Sequence, residues 1–216
     1  MKARKILAMV AALALTAALA VGGTLAYLTS TDSVQNTFTV GNVQIKLDEA
    51  KANADGTLVP NANRVKANSY KLLPGHTYNK DPMVTVLGGS ESSYIKMTVT
   101  FTKAAELDQI LPVDPTTGHA DLTKIFNGYD STNWTYKGNT ENTNNTRTYE
   151  FWYKETVDAL TADVPLDALF DSITVPGTIT NAQLATINDM TITVNAYAIQ
   201  ADGFANAEAA WAAYSA

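Results

Sequence analysis

Apolar residues recur at every second position in several stretches of the chain, a spacing that predicts extended strands with two unlike faces. Phe38 and Val40, then Val43, Ile45 and Leu47, define an early run, with Gly41-Asn42 as a bulge or change of register. Met83 to Leu87 is a second run, closed by Gly88-Gly89. In a third, Ile95, Met97, Val99 and Phe101 fall on one face and Tyr94, Lys96, Thr98, Thr100 and Thr102 on the other, which predicts a half-buried antiparallel strand. Trp134 to Tyr136, Arg147 to Lys154, Ile173 to Val175 (stopped by Pro176-Gly177) and Met190 to Gln200 complete the set. In the last of these Ile192, Val194, Ala196 and Ala198 share a face. About six to eight strands separated by turn residues predict an all-β fold, a jelly roll or β-sandwich.

Helical spacing is scarce. Ala104 to Leu111, Leu166 to Asp171 and Asn181 to Ile187 are predicted as short peripheral helices. Beyond Gly203, Asn206 is the expected N-cap of a terminal helix in which Ala207, Trp211 and Tyr214 align, laying Trp211 onto the sandwich edge. The Asn/Thr-rich stretch 137–146 has no apolar period and reads as a loop at a hairpin tip.

The first residues break the pattern. Lys2, Arg4 and Lys5 precede an apolar run from Ile6 to Val21, followed by Gly22-Gly23 and the small-residue junction Thr24-Leu25-Ala26. This is the form of a cleavable signal peptide over residues 1–26, with cleavage expected between Ala26 and Tyr27; an uncleaved anchor is the alternative. Residues 27–36 then form a polar N-terminal segment, and 37–216 the predicted sandwich with its C-terminal helix. Loss of three basic residues with the leader moves the net charge from −6 to −9. That balance opposes nucleic-acid binding and electrostatic attachment to anionic lipid. There is no cysteine, so neither disulfides, a thiolate nucleophile nor Cys-ligated zinc is available. The same absence is common in exported proteins of Gram-positive bacteria.

Chemistry-bearing motifs are few. His76 and His119 lie beside glycines in predicted turns, outside any metal-ligand spacing, and read as exposed turn histidines. No Gly-x-Ser-x-Gly elbow is present, and Gly88-Gly89-Ser90 lacks the lysine and helix of a phosphate loop. Asp163, Asp167 and Asp171 repeat every four residues, which reads as a solvated helix face rather than a cation site. The sequon matches at Asn133 and Asn144 are expected by chance in so Asn/Thr-rich a chain. Leu73-Pro74-Gly75-His76-Thr77 has the wrong order and place for a sorting signal. In the aromatic run, Tyr149 and Phe151 share a face and Trp152 the other, so structural packing is favoured over a sugar platform. No catalytic residue, metal site or cofactor is expected.

Three stretches carry a resemblance to a known family. Gly22-Gly23-Thr24-Leu25-Ala26-Tyr27 followed by Asn36-Thr37-Phe38-Thr39-Val40-Gly41-Asn42-Val43, then Leu73 to Lys80 with Ser92 to Met97, and finally Val194 to Ala201, resemble the TasA/camelysin family of secreted biofilm-matrix fibre proteins. The resemblance implies a leader removed by a dedicated signal peptidase of the SipW type and a jelly-roll domain at the cell surface or in the extracellular matrix. It also implies a head-to-tail homopolymer built by donor-strand addition, with room for an accessory fibre subunit. Camelysin carries a metallo-endopeptidase label, for which this sequence offers no zinc-binding helix. The segment 27–35 is β-capable but too polar to nucleate a sheet, and Leu28 and Val34 would face the same side of an acceptor. With Phe38 they form the expected donor interface. The first rival reading is a monomeric adhesin-like module recognising a glycan through loops 53–68 and 137–146; the second, less favoured, is a secreted metallo-endopeptidase.

Overall fold

The computed structural model describes residues 41–214. Along them run β1 (Ile45–Asp48), β2 (Thr77–Asn79), β3 (Met83–Val86), β4 (Ser90–Thr102), α1 (Ala104–Ile110), α2 (Leu122–Ile125), β5 (Phe126–Asn127), β6 (Trp134–Asn142), β7 (Thr146–Tyr153), β8 (Val157–Ala159), β9 (Val164–Pro165), β10 (Ser172–Thr174), α3 (Asn181–Thr186), β11 (Ile192–Gln200) and α4 (Ala207–Tyr214). The fold is all-β. A five-stranded sheet in the order β11-β4-β7-β6, with β8 against the start of β4, stands beside two three-stranded sheets, β1-β3-β9 and β2-β10-β5. Every pairing between these strands is antiparallel.

The alternation in β4 organises the core. Ile95, Met97, Val99 and Phe101 are essentially inaccessible, as are Tyr149 and Phe151 of β7 and Val84 and Val86 of β3. Each such side chain contributes about 1.5–3 kcal/mol by leaving water, and successive inward positions on the three strands line one continuous cluster. Phe101 meets Tyr149 edge-on with centroids 6.0 Å apart, and Phe126 stacks on Phe170.

The outer face of β4 is not open to water, contrary to the half-buried expectation. Lys96 and Thr98 are buried there, and α4 lies over that face. Asn206 caps α4 as the sequence suggests, its Oδ1 accepting the Ala209 N–H at 2.9 Å. Trp211 packs on the face of the sheet against Trp152, at 6.2 Å between rings, rather than on the sandwich edge.

Two other expectations are overturned. Residues 166–171 are not helical: Leu166 N–H donates to Val84 O, Leu169 N–H to Pro82 O and Asp171 N–H to Asn127 O. Leu166, Leu169 and Phe170 are buried by this irregular strap, so a helix-like apolar spacing arose from cross-chain docking. Asp163, Asp167 and Asp171 consequently share no helix face. Residues 137–142 belong to β6, not to a loop, and only 143–145 turn the hairpin. Beyond Trp134 the strand has no buried position, which is why no apolar period marked it. The predicted helices at 104–111 and 181–187 are present as α1 and α3.

Candidate functional site

The five-stranded sheet ends in two strands of equal length and opposite character. β6 carries Lys137 and Glu141, and its register with β7 shifts between Tyr136 and Gly138, where the glycine takes φ +127. A bulge and charges are devices that keep a sheet edge from pairing further. β11 has neither. Its sequence Ile-Thr-Val-Asn-Ala-Tyr-Ala-Ile-Gln contains no charge, proline or glycine, and it pairs with β4 over nine residues without a register break. Among the described residues no strand pairs with its outer side.

The hydrogen bonds fix which groups that side presents. Thr102 N–H donates to Thr191 O at 3.1 Å and Ala201 N–H to Ser92 O at 2.7 Å, so odd-numbered residues bond to β4. Ile192, Val194, Ala196 and Ala198 therefore direct their N–H and C=O groups outward while their side chains face the core side. These four are only partly buried, whereas their partners Phe101, Val99, Met97 and Ile95 are fully covered. A groove of about 320 Å³ separates β11 from β1, with Leu47, Pro82, Ile192 and Val194 among its walls and Lys66 at its rim. Lys66 Nζ donates to Leu47 O and so covers part of the facing edge of β1.

The outer aromatic surface is tied up in packing. Lys96 Nζ lies 4.5 Å from the Trp211 ring centre and 5.5 Å from those of Tyr197 and Tyr214. Lys137 Nζ sits 4.1 Å over Trp152 and donates to Glu208. A shallow hollow remains beside it, between Tyr94, Trp152, Tyr153 and Asn206.

His119 departs from the expected exposed turn. Its Nδ1 lies 3.5 Å from both Asp108 and Glu141, and one donor atom from each of the three falls within 4.8 Å of the others. The set superficially suits a metal, but Arg147 fills it. Its Nη1 and Nη2 hold Asp108 at 2.5 and 2.7 Å, and its Nε holds Glu141 at 2.5 Å. Burial pushes the Asp108 carboxyl up, but hydrogen bonds from Arg147 and the Ala120 N–H outweigh it, leaving the group below its ordinary 3.8. A cation would have to displace a guanidinium whose side chain is 2% exposed. The residues do not fit a peptidase zinc centre, which needs an open coordination position and a separate base. His76 is exposed, as expected, and lies against Tyr78 in another sheet.

The expected cleavage junction Ala26-Tyr27 and the donor residues Leu28, Val34 and Phe38 lie outside the described residues. The unprotected β11 edge was not foreseen, although the lack of charge in Ile192–Gln200 was visible in the sequence.

The fold is an all-β sandwich in which, among the described residues, no strand pairs with the outer side of the uncharged strand β11. Residues 2–69 match the family model described as camelysin metallo-endopeptidase, which bears out the resemblance to the TasA/camelysin family over that stretch. The match takes in β1 and the loop that follows it. No curated protein and no solved structure matches the chain.

Proposed function

We propose that this protein is an exported, non-enzymatic subunit of extracellular or cell-surface filaments. In this reading residues 27–36 of one copy, freed by removal of the leader at Ala26-Tyr27, add as a strand to β11 of the next. The observation that carries it is the uncharged β11 edge, whose even-numbered residues offer backbone groups outward beside the groove of about 320 Å³. Leu28 and Val34 of the donor, with Phe38 behind them, would supply the apolar side chains that the groove lacks. Such a contact is heterologous and does not close on itself, so it propagates as a fibre. The name of the matched family includes a peptidase activity; the Arg147-filled cluster at His119 argues for the structural role instead.

The test is negative-stain microscopy and sedimentation of residues 27–216 against the same protein lacking 27–36. Filaments from the first and a folded monomer from the second are expected. Filaments from the truncated form would sink the donor-strand reading. A persistent monomer from the longer form would favour the binding-module reading, for which the hollow between Tyr94, Trp152 and Tyr153 is the supporting observation.

A further inference from the structure

Glu49 and Asn68, from the loop that follows β1, meet Lys80 in the wall of the groove beside β11. Glu49 and Lys80 are 5% and 8% exposed, and Lys80 Nζ lies 2.5 Å from Glu49 Oε2. The other oxygen, Oε1, accepts Asn68 Nδ2–H at 3.0 Å. A single carboxylate thus bridges an amine and a side-chain amide. The amide is oriented unambiguously: Nδ2 also donates to Ala50 O at 2.8 Å, and Oδ1 accepts the Ala52 N–H at 2.9 Å. A carbonyl can only accept and an N–H only donate, so the amide cannot be flipped. Tyr70 beside them has its hydroxyl pushed up, first by burial and then by the Glu49 charge.

From this arrangement we infer that Lys80 and Asn68 form an intramolecular isopeptide bond with Glu49 as the proton carrier. Transfer of a proton from Lys80 to Glu49 leaves a neutral amine and a carboxylic acid. The Nζ lone pair attacks Asn68 Cγ, a C–N bond forms, and the carbonyl π pair moves onto Oδ1, which the Ala52 N–H stabilises as a one-donor oxyanion site. Glu49 gives its proton to Nδ2 and takes one from Nζ. The carbonyl re-forms, the Cγ–Nδ2 bond breaks, and ammonia leaves. No oxidant, metal or further reactant enters. Before reaction the amine and the amide are each held by one oxygen of the same Glu49 carboxylate, which brings together the groups that such an amide exchange requires. An ordinary buried ion pair needs neither the amide on its second oxygen nor a backbone donor on that amide's carbonyl.

The bond ties the loop after β1 to the connection between β2 and β3, in a chain with no cysteine for a disulfide. It also lies in the wall of the groove beside β11. It is independent of whether the protein polymerises.

Denaturing intact-mass measurement on folded residues 27–216 tests it. The expected mass is lower than that of the sequence by one ammonia, with tryptic peptide 67–71 joined to 72–96 and no cleavage after Lys80. Glu49→Gln and Asn68→Ala are each expected at the full sequence mass, and circular dichroism establishes which variants fold. Two results overturn the proposal: folded protein at full sequence mass with 67–71 and 72–80 recovered separately, or an ammonia loss that maps elsewhere, such as Asn127-Gly128.

Discussion

β6 and β11 close the same sheet at opposite margins, each over nine residues, yet only one is built to stop there. β6 spends its length on polar side chains, a glycine bulge and an ion cluster that binds Glu141 to Arg147 and Asp108. β11 keeps a regular register and uncharged residues, and its inward side chains remain partly accessible beside β1. Edge behaviour is therefore set by small local devices rather than by strand length or hydrogen-bond geometry. One margin carries devices that oppose pairing; among the described residues the other carries none.

Matched substitutions break this comparison most sharply. Ala196→Pro removes an outward N–H from β11 and is expected to abolish filaments while leaving a folded monomer; Asn139→Pro on β6 is expected to leave assembly intact. Microscopy of both variants at equal concentration decides it, and equal loss from both would mean the margins are equivalent.

The next largest effect concerns what finishes β6. Arg147→Met leaves Asp108 uncompensated and should cost about 3 kcal/mol in chemical denaturation, the low end for a broken buried pair because Glu141 is half exposed. Because β11 is untouched, the variant should still assemble under conditions where it folds.

Acid sharpens the same contrast. Asp108 is depressed below 3.8 when folded, so its stabilisation is complete above that pH and disappears as pH falls through the lower folded value. Asp48 behaves alike: burial pushes it up, and hydrogen bonds from Lys46 and Arg64 carry it below 3.8. Denaturation midpoints measured from about pH 5 downward should stay level and then drop below about pH 4, with a smaller drop in Arg147→Met. An unchanged drop would remove Asp108 from the explanation.

The smallest expected effect is on α4, which lies over the outer face between the two margins. Asn206→Ala removes the side-chain cap on Ala209 N–H and should cost about 1 kcal/mol, measured by thermal melting, without changing assembly.

Residues that alternate under strong burial were readable from the sequence. β4, β7 and β11 emerge from Ile95 to Phe101, Tyr149 with Phe151, and Ile192 to Ala198, because a period of two puts the apolar positions on one face of an extended strand. β2, β5, β8 and β9 span two or three residues each, too few for any period to register. The polar strand β6 hid for a different reason: an edge strand exposed on both faces has nothing to alternate. At Leu166, Leu169 and Phe170 the spacing misled, since an irregular strap can bury the positions that a helix would. The cluster at His119 draws on residues 108, 119, 141 and 147, which only the tertiary fold unites. Likewise the lack of charge in β11 can be read from its letters, but its position at the margin belongs to topology.

The central strand β4 has a consequence for how the molecule comes into being. Its neighbour β7 is made about fifty positions after it, and its other neighbour β11 only about a hundred positions after it. During vectorial emergence of the chain, the strand that organises the core therefore waits with one flank unpaired until β11 has been made. Refolding should be slow, on the order of milliseconds to seconds, as for other sandwiches dominated by distant pairings, and stopped-flow fluorescence would measure it. Until β11 docks, that flank of β4 is an unpaired edge able to capture other chains, so the arrival of β11 and protection from aggregation are linked.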